Sequence, residues 1–465
     1  MKVLFVFPKI NSGAIWQVGI AFLSAVLKEA GHEVELFEMD SLDQETLLLE
    51  RIKESRPGVI GISANSHQYP YAKIIAKSIK ESFPSLPILL GGVHPTLFPE
   101  LIEKEEVFDG LCVGEGEEVL LELVNKMSEG RDYFGTKNFW FRQGKNIIKN
   151  EPGRLLENLD KLPYPDRSIF QYFKRYKDKE IRPRFIFSRG CPFNCTYCCN
   201  HVLKQKYAGS GAYVRFRSVD RAIGEITELR KEYNFHHIKF DDDTFSLDKN
   251  RLLEFCGKFP KFFPDLTFEC NVRPGTADEE ALTALKKANC NLIKMGVETG
   301  NETLRKEVLN RQINNRDLIE LFETAKKVGL KTCSFNMVGI PGETKKSIQE
   351  SINLNVRLRP DIMNVTIFYP YLGTILGERC LRDGLIKSDS ADSLMKESIL
   401  QLPTISKKEI EKAARSFRFN VYKHYDIKKA ILEKKEQLKN FILTQSLLGP
   451  LVKMAHKLMV KIKLT

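Results

Sequence analysis

Residues 184–201 read RFIFSRGCPFNCTYCCNH: a short apolar run at 184–187, a turn, and then Cys191, Cys195 and Cys198 in the spacing CxxxCxxC. A brief apolar run closed by turn residues is the pattern of a buried strand. The pattern recurs downstream at 236–240, 266–271, 292–297, 332–338 and 362–368, alternating with helical periodicity over 219–233, 278–289, 317–328 and 345–357. Strands that alternate with helices build parallel sheets. Six such units predict an open or partial (β/α)6 barrel over residues 181–390.

Barrel chemistry sits at the carboxyl ends of the strands. The segments there are the cysteine loop at 189–201, Asp241-Asp242-Asp243, Arg273-Pro274-Gly275, Glu298-Thr299-Gly300, Gly339-Ile340-Pro341-Gly342-Glu343 and Tyr369-Pro370-Tyr371. Each is polar or glycine-rich, and their shared register predicts one site on one rim. Three thiolates on one tight loop can hold three irons of a cubane cluster and leave the fourth open to a chelating substrate. Structural zinc is the alternative, and it needs a fourth ligand, for which Cys199 or His201 would have to serve. Zinc sites usually come as two separated ligand pairs, and Cys199 is badly placed beside a ligand to share its metal. The three aspartates admit a divalent cation or a solvated, helix-capping role.

The first 130 residues form a second series, with strands expected at 3–7, 32–37, 59–63, 87–90 and 111–113. They predict a doubly wound, Rossmann-like parallel sheet, with ligand loops after the strands. Those loops are Pro8 to Gly13, Ala64-Asn65-Ser66-His67 after Ser63, Gly91-Gly92-Val93-His94-Pro95 and Gly114-Glu115-Gly116-Glu117. No GxGxxG follows the first strand, so a dinucleotide fingerprint is missing. Residues 131–180, with scattered charges and the paired prolines Pro163 and Pro165, read as a connector. Residues 391–465 read as helical, and no solenoid-type repeat is present.

With 465 residues, 42% hydrophobic and 28% charged, 29 Gly and 20 Pro, the chain is of globular composition, not collagen-like or wholly disordered. No apolar run reaches the roughly 18 residues of a membrane span. The start MKVLFVFP lacks a charged leader, so a cytoplasmic protein is expected. Ten cysteines then point to metal or redox use by some of them rather than to a disulfide framework. The net charge is +12, and residues 407–465 hold 15 Lys and Arg against 5 Asp and Glu. Near the end, Leu451, Met454, Ala455, Leu458 and Ile462 form an apolar stripe, with Lys453, Lys457 and Lys461 every four residues after Pro450. Two readings are open for this basic amphipathic helix: peripheral contact with a membrane or packing on the barrel. The last turns lack interleaved aromatics, and no nucleic acid is expected.

CxxxCxxC with an aromatic residue, Tyr197, before its last cysteine resembles the radical S-adenosylmethionine superfamily. The resemblance implies that Cys191, Cys195 and Cys198 bind a [4Fe–4S] cluster whose open iron takes S-adenosylmethionine, with Tyr197 near the adenine. By the same resemblance Arg273 pairs with the carboxylate of S-adenosylmethionine. Glu298 and Thr299 serve its ribose or amino-acid part, and Gly339, Pro341 and Gly342 lie beside the adenine. The aspartate loop matches the one that approaches the sulfonium, and Asp242 is its candidate catalytic residue. An N-terminal α/β domain joined to this barrel resembles the cobalamin-binding branch, a likeness covering roughly residues 1–390. In that branch Ser63, Gly91, Gly92, His94, Gly114, Glu115 and Gly116 stand in the loops that would admit the corrin. No DxHxxG motif is present to ligate cobalt, and His94 has the alternative of capping a helix. The methylthiotransferase branch would need three further N-terminal cysteines, and only Cys112 precedes the barrel. Cys256, Cys270, Cys290, Cys333 and Cys380 read as small buried hydrophobes.

The resemblance implies a methyltransferase acting on an unactivated carbon of a small-molecule or lipid-like substrate. One S-adenosylmethionine methylates cob(I)alamin, and a second yields the 5′-deoxyadenosyl radical that abstracts a substrate hydrogen before methyl transfer. Electrons come from a donor such as flavodoxin or ferredoxin. Cyclisation, rearrangement or oxidation with the same cofactors is an alternative, and a membrane-peripheral iron–sulfur electron-transfer protein is one of another class.

Overall fold

A computed structural model describes residues 1–10, 16–175, 180–387 and 397–445. The first sheet contains β1 (Lys2–Pro8), β2 (Glu33–Met39), β3 (Val59–Ser63), β4 (Ile88–Gly91), β5 (Gly110–Cys112), β6 (Phe139–Gln143) and β7 (Asn146–Lys149), in the order β2-β1-β3-β4-β5-β6-β7. The pairs from β2 through β5 are parallel. Their side chains are buried on both faces; Val6, Ile60 and Leu90, for instance, lie in a core with Ile75, Ile79 and Phe108.

The sheet has seven strands where the sequence suggested five. The added hairpin, β6 and β7, is antiparallel and comes from the segment read as a connector. Phe139 and Phe141 are buried, Lys149 is exposed at the end of β7, Lys145 lies in the turn, and Arg142 is half-buried with its guanidinium on the Ile102 carbonyl. Phe139 and Phe141 are the inward positions of an alternating strand. The rest of the segment is also packed, with Leu155, Leu159, Phe170 and Phe173 buried.

The second sheet adds β8 (Arg184–Phe185), β11 (His237–Phe240), β12 (Thr267–Asn271), β13 (Cys290–Glu298), β14 (Lys331–Val338) and β15 (Ile362–Ile367), in the order β15-β14-β13-β12-β11-β8. A separate antiparallel pair joins β9 (Ser188–Arg189) to β10 (Arg215–Phe216). The intervening helices start at side-chain caps: Ser218 before Val219–Glu232, Asp248 before Lys249–Phe262, Asn314 before Asn315–Lys327 and Thr344 before Lys345–Leu358.

The chain divides into two compact units: residues 1–293 with 370–383, and residues 294–369 with 384–465. The sequence boundaries at 130 and 180 fall inside the first unit. In the second, helices Lys407–Tyr422 and Ile427–Gln445 pack on each other. The basic stripe at 451–462 lies outside the described residues. Among the described residues, no helix is long and apolar enough to cross a membrane.

Candidate active site

In the first unit, Asp242 is buried beneath the strand that feeds the cysteine loop. Its carboxylate accepts from the Phe187 N–H at 3.2 and 3.3 Å and from the Ser188 hydroxyl, and burial pushes it up to about 6. Its side chain is thus engaged with the backbone just ahead of Cys191. Asp241 pairs with Arg184. Asp243 is exposed, and it reaches the cysteine loop.

All three motif cysteines are free thiols, Cys195 buried and the other two half-buried. Arg273, following β12, sets Nη1 3.8 Å from Cys195 Sγ and stacks its guanidinium 3.7 Å from the Phe193 ring centroid. Asn200 Nδ2 lies 3.6 Å from Cys198 Sγ and donates to Asp243 Oδ2 at 3.0 Å. Hydrogen bonding from the Cys199 thiol, aided by Asn200, holds the Cys198 thiol down to about 7, while burial pushes Cys191 up to about 11. Tyr197, which precedes Cys198 in sequence, is half-buried. The segment 370–383 braces the loop: the Leu376 N–H donates to Thr196 O at 2.9 Å, and the Ile375 N–H to His201 Nε2 at 3.4 Å.

That last bond occupies one ring nitrogen of the proposed zinc ligand. Among the described residues, no three His, Cys, Asp or Glu side chains gather as one metal ion would require. A cubane takes each thiolate on a different iron, so it does not need them around one point. A loop of three thiols, with donors aimed at two of the sulfurs, fits a cluster.

The N-terminal sheet is also in this unit. Its β2-β1-β3 order makes the carboxyl end of β1 and β3 a topological switch point, where doubly wound sheets bind ligands. Ser63 ends β3, and its hydroxyl accepts from Gln17 Nε2 at 3.0 Å. Gly91 and Gly92 follow β4. Gly92 has φ +98°, and a Cβ there would stand 2.7 Å from Ala64 O, so only glycine lets the β4 loop close on β3. His94 is stacked on Tyr69 with centroids 4.0 Å apart and sits 5.2 Å from Phe98, with Nδ1 3.2 Å from Ser66 Oγ. Burial pulls it down to about 4, so the ring is neutral. Polar and small groups gathered at the switch point, with a neutral imidazole among them, fit a bound corrin.

The Gly114-Glu115-Gly116 loop faces the barrel. Glu115 accepts from Arg215 through both oxygens, at 2.6 and 3.0 Å, and from Arg189 at 3.1 Å. Burial opposes its charge, but the two guanidiniums hold the carboxyl below its ordinary range. Glu117 also accepts from Arg189, the last residue of β9. The Glu115 N–H donates to the Tyr207 hydroxyl at 2.8 Å, and that hydroxyl fills the space where a Gly114 Cβ would be. Gly116 opens the helix Glu117–Ser128. Motif reasoning missed Asn200, Tyr207, Arg189 and Arg215; the complementary charge of the acidic loop and the Arg215-Phe216-Arg217 run was the available signal.

In the second unit, Glu298 ends β13 with the left-handed φ of +63° and lies 3.5 Å from Arg311. Thr299 is fully buried, its hydroxyl 3.2 Å from Ser351 Oγ. Gly339 donates its N–H to Glu343 Oε2 at 2.5 Å. Pro341 is buried and Gly342 exposed.

A three-thiol loop on a βα sheet, flanked by an arginine and coupled to a doubly wound sheet with a built switch point, defines an iron–sulfur enzyme with a second cofactor domain. Residues 185–354 match the profile of the Radical SAM superfamily, and residues 13–124 that of the B12 binding domain. The chain belongs to the radical S-adenosylmethionine superfamily, in the branch that carries a B12-binding domain. Its cofactors are a [4Fe–4S] cluster, S-adenosylmethionine and cobalamin, and it is an enzyme, which removes the electron-carrier alternative. It is 29% identical to the uncharacterized methyltransferase PH0819 of Pyrococcus horikoshii, over 88% of this chain and 90% of that one. It is 25% identical to the anaerobic magnesium-protoporphyrin IX monomethyl ester cyclase of Cereibacter sphaeroides, over 93% and 71%. Its fold is similar to that of the radical S-adenosylmethionine methyltransferase TsrM from Kitasatospora setae, solved with cobalamin and a [4Fe–4S] cluster. The TM-score is 0.66 at 18% identity, covering 89% of this chain and 81% of that one.

Proposed function

We propose that the chain is a cobalamin-dependent C-methyltransferase acting on an unactivated carbon of a small-molecule or lipid-like substrate, with electrons from a flavodoxin or ferredoxin. The observation that carries this reading is the direct coupling, within one unit, of the switch-point sheet to the cysteine loop through Glu115, Glu117, Arg189, Arg215 and Tyr207. When bound, the cofactors supply a hydrogen-abstracting radical and a transferable methyl group. Cys191, Cys195 and Cys198 hold the cluster, and Arg273 presents its charge beside Cys195 to the carboxylate of S-adenosylmethionine. In the first unit Tyr197 serves the adenine; in the second, Glu298 and the backbone of Gly339, Pro341 and Gly342 serve the nucleoside and amino-acid parts, and Thr299, whose buried hydroxyl meets Ser351, acts by fixing the strand end that carries Glu298. Ser63, Gly91, Gly92 and His94 receive the corrin. Gly114, Glu115 and Gly116 act by holding the two parts of the unit together, and Asp242 by fixing the strand ahead of Cys191.

A lipid-like substrate is supported by the helix Ile427–Gln445, on which Ile427, Ile431, Leu432 and Leu438 are exposed among lysines. Cyclisation, rearrangement or oxidation without methyl transfer is the second reading, favoured by the likeness to the cyclase over nearly the whole chain.

The test is anaerobic reconstitution of wild type and Cys195→Ala with iron, sulfide and hydroxocobalamin, then reductant and methyl-labelled S-adenosylmethionine. Wild type is expected to retain corrin, label it and form 5′-deoxyadenosine, while the variant retains corrin and forms none. Wild type that forms 5′-deoxyadenosine but leaves the corrin unlabelled favours the second reading. Failure to retain corrin at all overturns both.

A further inference from the structure

We infer that Asn200 sets the reduction potential of the cluster by giving an amide N–H to the sulfur of Cys198, an inference that rests on the reading of Cys191, Cys195 and Cys198 as cluster ligands. Asn200 is 9% exposed, and each polar atom of its side chain is directed. Oδ1 accepts from the Tyr213 hydroxyl at 2.7 Å, and Nδ2 donates to Asp243 Oδ2 at 3.0 Å and lies 3.6 Å from Cys198 Sγ. A carboxylate only accepts, so Asp243 requires the NH2 end of the amide on its side, and the second N–H of that end is the one left for sulfur.

Among the described residues, the helix that Asn200 opens does not need an amide here. Asn200 opens the short helix Asn200–Lys206, whose cap residue is Cys199 and makes no side-chain cap bond. An asparagine serving the helix would turn its oxygen onto the first-turn N–H groups; this oxygen is turned to Tyr213 instead. A buried amide is costly unless satisfied, and its partners come from two other segments. Asp243 follows β11, and the Tyr213 carbonyl stands where a Cβ on Gly190 would fall, so Tyr213 is set against the turn that opens the cysteine loop. The amide therefore cannot swing away from Cys198 without breaking two shorter bonds.

The consequence is electrostatic. Reduction adds negative charge that spreads onto the cluster sulfurs, and a donor to a ligand sulfur stabilises that charge, raising the potential. Arg273 also faces a ligand sulfur, but at 3.8 Å and as the cation proposed for the S-adenosylmethionine carboxylate. Asn200 is neutral and fixed before any substrate arrives.

The experiment is an anaerobic redox titration of the reconstituted full chain, followed by the electron paramagnetic resonance of the reduced cluster without S-adenosylmethionine. Asn200→Leu keeps the branched four-atom shape of the side chain and removes the donor; Tyr213→Phe keeps the donor and removes the hydroxyl that aims it. With wild-type iron and sulfide content, Asn200→Leu should titrate at lower potential, and Tyr213→Phe should move the same way by less. Fully loaded variants that titrate with wild type overturn the inference. If Asn200→Leu does not load, Tyr213→Phe decides by the same criterion, and failure of both to load replaces the inference with a purely structural role. Wild type that takes up no cluster would instead remove the functional reading on which it stands.

Discussion

Glu343 shows how burial alone writes a pH dependence into one side chain. It is fully buried, Oε2 takes the Gly339 N–H, Oε1 has no hydrogen-bond partner among the described residues, and burial pushes the carboxyl up to about 8. The folded state therefore keeps a proton that the unfolded chain releases at ordinary carboxyl pH, and folding stability falls as pH rises. This contribution is fully present below the unfolded pKa and lost as pH rises through about 8. Glu343→Gln does not titrate and can still accept from Gly339, so its stability at pH 6 should lie within about 1 kcal/mol of wild type. Its melting temperature should then fall less than that of wild type between pH 6 and pH 9. Parallel melting curves for the two proteins across that range would count against the assignment. At this scale the sequence is legible where function is local. The three motif cysteines fall within eight residues of one another, and their spacing is itself the signal. Asn200 takes its partners 13 and 43 residues away, and Glu115 takes Arg215 100 residues away, so neither can be read from a motif. Asp242 and Thr299 carry the right residue types, but the direction of a side chain is set by packing, and theirs turn into the protein.

Strands and helices were more legible than the contacts between them, because periodicity reports burial on a face and not the identity of the covering group. The barrel strands lie within about two residues of their expected limits, which is the ordinary scatter of such boundaries; β13, for instance, runs Cys290–Glu298 against an expected 292–297. The hairpin β6–β7 was missed because its strands are only five and four residues long and Trp140 breaks the alternation that Phe139 and Phe141 begin. The join between the N-terminal sheet and the cysteine-loop helix is likewise invisible in sequence, yet Gly114 exposes it. This residue has φ +113°, and a Cβ there would lie 2.1 Å from the Tyr207 hydroxyl oxygen and 3.0 Å from its Cζ. Gly114→Ala should cost about 3 kcal/mol or more, of which roughly 1–3 kcal/mol is backbone strain. Tyr207→Phe removes the closest of these atoms together with the bond from the Glu115 N–H. In that background the alanine should cost about 1 kcal/mol less, a non-additivity that urea unfolding of the four proteins in the cycle would measure. Strict additivity would mean that the loop and Tyr207 do not bear on each other in solution.

On the scale of the whole molecule, the surplus of positive charge is concentrated at one end of the chain. Residues 407–465 carry 15 basic against 5 acidic side chains out of a net +12. The helix Ile427–Gln445 turns Ala430 inward and ties itself to Lys407–Tyr422 through Arg418–Glu433 at 2.9 Å and Gln437 Nε2 to Arg415 O at 2.8 Å. Its other face exposes Ile427, Ile431 and Leu438, which share one stripe at helical spacing, with Leu432 beside them and Lys428, Lys434 and Lys435 exposed nearby. Glu433, one of the two acids in residues 427–438, lies on the packed side with Arg418. Residues 446–465 add Lys453, Lys457, Lys461 and Lys463 and no acid to the charge of this end of the chain. Apolar side chains bordered by lysines match an anionic lipid surface, which offers headgroup charge and an acyl boundary together. The full chain should therefore sediment with vesicles of phosphatidylcholine and phosphatidylglycerol, but not with phosphatidylcholine alone, and be released as salt is raised. Ile431→Asp combined with Leu438→Asp should weaken that binding about tenfold or more, since charge is expensive in the acyl region. Both side chains are exposed, so folding stability should change by no more than about 0.5 kcal/mol. Equal retention by both vesicle types, or by neither, would leave the face to a second copy of the chain, and light scattering across a concentration series would reveal that dimer.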